Sequence, residues 1–117
     1  MITQTGKTGL WGEIYAARYL RQKGYRIIAS NYRLTGGEID IIAEKGDVIC
    51  FTEVKTRSEN SFFSPAEAVD SKKEDNIKNV ASAYNTHNNI NKTSRFDIIE
   101  IIFSEENYKL RHIENAF

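Results

Sequence analysis

The chain has 117 residues, of which 40% are hydrophobic and 27% are charged, a composition that suits one globular domain and argues against a fibrous or disordered chain. No apolar run is long enough to cross a bilayer, the N-terminus lacks a signal-peptide pattern, and the single cysteine, Cys50, allows no intramolecular disulfide. We therefore expect a single cytoplasmic domain over residues 1–117, without a membrane partner.

The formal net charge is zero, but the charges are unevenly distributed along the chain. Residues 1–37 carry six basic residues and one acidic residue, whereas residues 38–59 carry six acidic and three basic residues. A basic region beside an acidic pocket suits a phosphate backbone that is steered toward metal ions. A solvated helix face with scattered loop charges explains the same distribution equally well. The candidate nucleic-acid contacts are Lys7, Arg33 and Arg57.

The N-terminal part of the chain predicts a loose tail over residues 1–7 and a helix over residues 8–23 that Gly24 ends. Glu13 falls inside the apolar arc of this helix, where a carboxylate is unusual. It either accepts a core hydrogen bond or points at a cation. The predicted buried arc consists of Leu10, Ile14, Ala17 and Leu20, beside an aromatic stripe of Trp11, Tyr15 and Tyr19 that is typical of a core or a subunit contact.

The next segments predict a short strand over residues 25–30, a turn-rich connection over residues 31–37, and a hairpin of residues 38–43 and 48–55. A Gly46-Asp47 turn closes the hairpin. Counting outward from this turn places Asp40 opposite Glu53, with Glu38 opposite Lys55 and all four side chains on one face. Two facing carboxylates repel each other, so a bound cation or a salt bridge with the lysine must offset the repulsion.

The C-terminal half predicts a polar loop over residues 56–63, a helix start at residues 64–67, and a helix over residues 71–84. A buried strand over residues 95–103 and an edge strand over residues 108–113 follow. This order of elements predicts an α/β domain in which helices flank a mixed sheet. The helix over residues 71–84 buries Ile77, Val80, Ala81 and Tyr84.

The hairpin acids have the spacing of a metal-dependent nuclease motif, in which an aspartate precedes an acid-x-lysine tripeptide. Asp40 and Glu53 are oxygen ligands of the kind that Mg²⁺ or Mn²⁺ prefers. Lys55, on the same face, is placed to orient a water molecule or to neutralise a scissile phosphate. Glu13 is a candidate to reach the same ion from the helix packed over the sheet.

The chain also resembles a family, the YraN-like uncharacterised bacterial proteins, along nearly its whole length. The resemblance rests on Gly9-Leu-Trp-Gly-Glu13, Gly24-Tyr25, Asn31-Tyr-Arg33, Gly37-Glu-Ile-Asp40-Ile-Ile-Ala43, Phe51-Thr-Glu53-Val-Lys55-Thr-Arg57, Arg95-Phe-Asp97 and His112-Ile-Glu-Asn-Ala-Phe117. That family is similar to Holliday junction resolvases. The similarity implies a three-layer α/β/α, restriction-endonuclease-like domain whose catalytic positions fall on Glu13, Asp40, Glu53 and Lys55.

Three hypotheses follow from the residues and the resemblance together. The leading one is a Mg²⁺-dependent nuclease that cuts structured or branched DNA, acts as a homodimer and uses no small-molecule cofactor. The second is a non-catalytic nucleic-acid-binding module with the same fold. In the third, the acidic cluster is only a salt-bridge network in a structural or partner-binding protein.

Overall fold

A computed structural model describes residues 4–59 and 70–117, with the backbone alone for residues 4–8. The helices are α1 (Gln4–Gln22) and α2 (Ser71–His87), and the strands are β1 (Arg26–Leu34), β2 (Gly37–Lys45), β3 (Val48–Ser58), β4 (Thr93–Phe103) and β5 (Tyr108–Ile113). The helix start predicted at residues 64–67 and the second half of the predicted loop lie outside the described residues.

The five strands form one mixed sheet in the order β1-β2-β3-β4-β5. Every neighbouring pair is antiparallel except β3 and β4, which run parallel and are connected through α2. One apolar cluster lies between α1 and the sheet, and a second lies between α2 and the opposite face. The predicted α/β architecture, with a helix layer on each side of a mixed sheet, is therefore confirmed. Neither helix in this part of the chain has the length and apolar character needed to span a bilayer.

The hairpin of β2 and β3 has the register that the sequence predicts. Lys45 pairs with Val48, and the ladder continues outward to the pair of Ile41 and Thr52. Gly46 adopts a positive φ of 58° in the turn, a conformation that glycine reaches without a Cβ penalty. A short turn of this type fixes the register of the ladder that follows it, which is why the local sequence predicts the pairs from Lys45–Val48 to Ile41–Thr52.

Helix α2 also matches its prediction closely. Asp70 caps its N-terminus, because the aspartate carboxylate accepts a hydrogen bond of 2.9 Å from the backbone N–H of Lys73. The four side chains that α2 buries against the sheet are the four predicted ones, Ile77, Val80, Ala81 and Tyr84. The helix ends at His87, three residues later than predicted.

Helix α1 packs through a different face from the predicted one. Leu10 and Ile14 are 61% and 41% exposed, so their placement in the buried arc was wrong. The buried positions are Gly12, Ala16 and Leu20, which follow one another at intervals of four residues along one side of the helix. The reason is a close approach of backbone to sheet at the glycine, which no hydrophobicity pattern reveals.

Two boundaries near the N-terminus also differ from expectation. Helix α1 already begins at Gln4, so the predicted tail is helical from that residue onward. Strand β1 runs through most of the predicted turn-rich connection to Leu34, because its residues continue to pair with β2. Within β1, Asn31 has a φ of 53°, a left-handed conformation that asparagine tolerates better than most residues.

Candidate functional site

The candidate site lies where the pairing of β2 with β3 stops. Asp40 and Glu53 follow directly after Ile41 and Thr52, the last pair of the ladder. Beyond this point β2 remains paired with β1, while β3 remains paired with β4. Here the side chain of Asp40 replaces a backbone acceptor, because its Oδ2 accepts a hydrogen bond of 2.8 Å from the backbone N–H of Val54. The predicted cross-strand pair of Asp40 and Glu53 is therefore absent from the ladder, but the two acids are close enough for the charge of Glu53 to act on Asp40.

The predicted position of Glu38 is wrong. Because the ladder ends earlier, Glu38 does not pair across the hairpin with Lys55. It forms an ion pair with Arg33 of β1, with 3.3 Å between Nε and Oε2. The strict alternation of faces is also lost nearby, because Ile39 and Ile42 both pack in the cluster beneath α2. Glu38 therefore lies at the margin of the site.

Two ammonium groups hold the buried carboxylate of Glu53. Lys55 Nζ lies 3.2 Å from Glu53 Oε1, and Lys73 Nζ, from the first turn of α2, lies 2.9 Å from the same oxygen. Glu53 itself is only 6% exposed. Burial, together with the neighbouring ammonium of Lys73, lowers the pKa of Lys55. The lysine of α2 was not among the predicted site residues, since only tertiary packing brings it to the sheet.

The environment of Asp40 disfavours a negative charge, unlike that of Glu53. Burial, and then repulsion from Glu53, raises the pKa of Asp40 from 3.8 to about 7. The hydrogen bond from the Val54 amide opposes this rise and is outweighed by it. In the described part of the chain, no basic side chain forms an ion pair with Asp40. Its ionised form is therefore disfavoured, whereas that of Glu53 is held by two ammonium groups.

Glu13 reaches the site from α1, on the other side of the sheet. Burial is the main cause that raises the pKa of Glu13, and repulsion from Glu38 and Glu53 adds to it. A hydrogen bond with the side chain of Asn31 acts in the opposite direction. The left-handed kink at this asparagine in β1 accompanies that contact. Sequence reasoning missed Asn31 as a partner, although it lies in one of the family motifs.

Gly12 allows α1 to approach β3 closely enough to carry the neighbouring Glu13 to the site. A Cβ at this position would overlap with the Cγ2 methyl of Thr56 and would lie 3.7 Å from a methyl of Val54. At Gly9, one turn earlier in the same helix, nothing lies within 4 Å of an added Cβ. The two helical glycines therefore provide a matched pair for an experiment.

We expect Gly12→Ala to lower the free energy of unfolding by about 2 kcal/mol, because overpacking outweighs the better helix propensity of alanine. Gly9→Ala should raise it by about 0.5–1 kcal/mol. Adding Thr56→Ser to Gly12→Ala removes the Cγ2 methyl that overlaps with the new Cβ, and the double variant should recover most of the lost stability. Urea denaturation measures all three, and a Gly12→Ala protein at least as stable as the wild type would contradict the close approach.

The described residues supply a pair of acidic side chains rather than a complete set of metal ligands. Within residues 4–59 and 70–117, no three His, Cys, Asp or Glu side chains form a group that could hold a metal ion. Asp40 and Glu53 remain as a carboxylate pair, and Mg²⁺ commonly binds through one or two carboxylates together with water and substrate phosphates. Glu13 as a third ligand stays a prediction.

The three predicted nucleic-acid contacts, Lys7, Arg33 and Arg57, belong to three different elements, α1, β1 and β3. The side chain of Arg33 is 75% exposed at the margin of the site, where it pairs with Glu38. Arg57 lies near the end of β3 and is half-buried. Lys7 belongs to α1, but its side chain lies outside the described part of the chain.

A second polar group, the Asp97 network, lies on the α1 side of the sheet. Its centre, Asp97, is fully buried and accepts hydrogen bonds from the side chains of Arg95, His112 and Cys50. Burial, reinforced by the charge of the aspartate, raises the pKa of the Cys50 thiol to about 12. The thiol is therefore protonated at neutral pH, as expected for a core cysteine rather than a nucleophile.

Comparison with known proteins places this site within a family. The model of the uncharacterised protein family UPF0102 matches residues 12–101 of the chain. The chain belongs to this family. The matched segment includes the three hairpin residues Asp40, Glu53 and Lys55, as well as Glu13 and Lys73. The resemblance to the YraN-like proteins is thereby confirmed at the level of the family.

Individual members of UPF0102 align with the chain along nearly their whole length. A UPF0102 protein of Alkaliphilus oremlandii is 49% identical over 114 residues, covering 95% of this chain and 97% of the relative. A relative from Clostridioides difficile is also 49% identical, over 110 residues, with coverages of 93% and 95%. One from Syntrophomonas wolfei is 44% identical over 115 residues, with coverages of 93% and 96%.

Proposed function

We propose that the protein is a Mg²⁺- or Mn²⁺-dependent nuclease that hydrolyses phosphodiester bonds in structured or branched DNA. The observation that carries this proposal is the carboxylate pair at the end of the hairpin, with a lysine beside it. Asp40 is a buried carboxyl group whose pKa is raised to about 7, by burial and then by repulsion from Glu53, and Lys55 Nζ lies 3.2 Å from Glu53 Oε1. The resemblance to resolvases in fold and motif supports the same reaction, although a fold alone does not fix a function.

The roles of the residues follow from their chemistry. Asp40 and Glu53 would hold the cation, which when bound stabilises negative charge on the phosphate and lowers the pKa of a water molecule. Lys55, only partly exposed beside the acid pair, is placed to orient the attacking water or to neutralise the scissile phosphate. Hydrolysis breaks one phosphorus–oxygen bond, and water supplies both the new oxygen and the proton of the leaving alcohol.

The test is cleavage of a labelled four-way junction, a flap and single-stranded DNA by purified protein with Mg²⁺. We expect cutting that falls by about a hundredfold in Glu53→Gln and in Lys55→Ala, the size typical for loss of one charge-stabilising group. Glu105→Gln and Lys109→Ala remove the same charges at exposed positions and should cut like the wild type. Cutting that survives both site substitutions would come from elsewhere and would contradict the proposal.

A second candidate function is a nucleic-acid-binding module without catalysis. It is favoured by the two ammonium groups that already neutralise Glu53 and by the lack, among the described residues, of a three-ligand metal group. In the same experiment this function predicts DNA binding that weakens as salt rises, with no cutting under any divalent ion. Binding and cutting together would support the nuclease instead.

A further inference from the structure

One carboxylate oxygen of Glu53 contacts two ammonium groups at the same time. Its Oε1 is the partner of both Lys73 Nζ, at 2.9 Å, and Lys55 Nζ, at 3.2 Å. A divalent cation that used this oxygen as a ligand would lie within a few ångströms of both ammonium groups. At such separations two like charges repel strongly inside a partly buried site. One of the two ammonium groups must therefore move away before the ion can bind well.

The two lysines differ in their freedom to move. The side chain of Lys55 is 16% exposed on a central strand, whereas that of Lys73 is 39% exposed at the start of α2. The backbone of Lys73 is fixed, because its N–H donates to the capping carboxylate of Asp70. Its side chain can therefore swing into solvent without disturbing the helix, whereas the strand lysine has no comparable exit.

We infer that Lys73 is the resident counter-cation of Glu53 in the metal-free protein and that it competes directly with the divalent ion of the proposed function for that carboxylate. The inference rests on the proposed function only in that it requires an ion at Asp40 and Glu53. While Lys73 is in place, its ammonium occupies the Glu53 oxygen that the ion would need, and Asp40 forms no ion pair among the described residues. Departure of Lys73 leaves both carboxylates to the ion, with Lys55 still beside them.

The experiment is calorimetric titration of the purified protein with Mn²⁺ in the absence of DNA. We expect Lys73→Met to bind Mn²⁺ about tenfold more tightly than the wild type, because the competing ammonium is gone. Lys73→Arg retains a cation at the same place and should bind like the wild type. Lys72→Met removes the same charge from the adjacent, exposed position and controls for the general effect of net charge.

Each pattern of results decides between the inference and the proposed function. Tighter binding in Lys73→Met alone supports the inference, and equal or weaker binding overturns it while leaving the nuclease proposal intact. Binding to Lys73→Met but not to the wild type supports the inference and contradicts a metal-dependent nuclease. If no protein in the series binds Mn²⁺, both are overturned.

Discussion

Replacing Asp97 with alanine is expected to lower the free energy of unfolding by about 3–5 kcal/mol at neutral pH, because it removes a buried charge that the half-buried Arg95 and its neighbours depend on. The carboxylate is fully buried. Its two oxygens accept hydrogen bonds from Arg95, at 2.8–3.2 Å, from His112 at 2.7 Å, and from the backbone N–H of Asn115 at 3.0 Å. The substitution therefore removes one carboxylate and leaves several hydrogen-bond donors without an acceptor.

The pH dependence of this loss identifies the charge as its cause. Burial by itself would raise the pKa of Asp97, but the hydrogen bonds from His112, Arg95 and Cys50 outweigh burial and hold the pKa well below 3.8. The stabilisation is then fully present above about pH 4 and is lost as the pH falls below that value. The difference in the free energy of unfolding between the wild type and Asp97→Ala should therefore become smaller at acid pH.

Urea denaturation at a series of pH values between 2 and 8 measures the difference in the free energy of unfolding between the wild type and Asp97→Ala, expected to be about 3–5 kcal/mol at neutral pH. Asp75→Ala, which removes an exposed aspartate from α2, is the matched control and should change stability little. Equal unfolding midpoints for Asp97→Ala and the wild type at neutral pH would show that the network contributes nothing to stability.

The network also explains why His112 and Asp97 are absent from the candidate site. His112 has two partners at once, because its Nε2 donates to the aspartate at 2.7 Å and its Nδ1 lies 3.0 Å from the hydroxyl of Tyr19. These contacts tie β5 and α1 to the start of β4. The C-terminal segment is held in the same way, because the N–H of Ala116 donates to the backbone carbonyl of Phe96. The motif residues at the C-terminus thus have a structural role.

The parts of the fold that the sequence predicted are those that neighbouring residues determine. The turn at Gly46 sets the register of the hairpin, and the cap at Asp70 sets the start of α2. The rotation of α1 about its axis could not be predicted, because it depends on the contact between Gly12 and a strand more than forty residues later in the chain. Hydrophobicity favoured the wrong face, since Leu10 and Ile14 remain exposed.

The same distinction holds for the candidate site. Asp40, Glu53 and Lys55 lie on one hairpin, and counting from the turn predicts the register correctly as far as Ile41 and Thr52, the residues next to the two acids. Lys73 and Asn31 belong to other elements, and only the packing of helix on sheet and the kink in β1 bring them in. Lys72 and Lys73 are adjacent at the start of α2, and nothing in the sequence shows which of the two contacts the sheet.

Replacing Asp40 with asparagine is expected to stabilise the metal-free protein and to destabilise the metal-loaded one. Without metal, the wild type must keep a buried charge that repels Glu53, and this raises the pKa of Asp40 from 3.8 to about 7. An acid whose pKa is raised on folding loses stability as the pH rises from about 4 to 7 and stays at the lower level above it. Asparagine is free of this loss, and its side-chain oxygen can still accept the hydrogen bond from Val54.

The expected difference is about 2 kcal/mol in favour of Asp40→Asn at pH 8 in a chelating buffer, roughly half of what the full pKa shift would give, since relaxation and water reduce it. It should vanish near pH 4. Mn²⁺ at a hundred times its dissociation constant should then stabilise the wild type by about 2.7 kcal/mol and leave the variant almost unchanged. The order of the two unfolding midpoints should therefore reverse.

Thermal unfolding with chelator and with Mn²⁺, at pH 5 and pH 8, measures both effects in one series. Asp75→Asn, at an exposed position on α2, should follow the wild type under all four conditions. A wild type that is more stable than Asp40→Asn in chelator at pH 8 would show that the buried charge is already neutralised, as a pure salt-bridge network requires. Equal responses of both proteins to Mn²⁺ would place the ion away from this carboxylate, because a cation held by Asp40 must distinguish an oxygen anion from an amide.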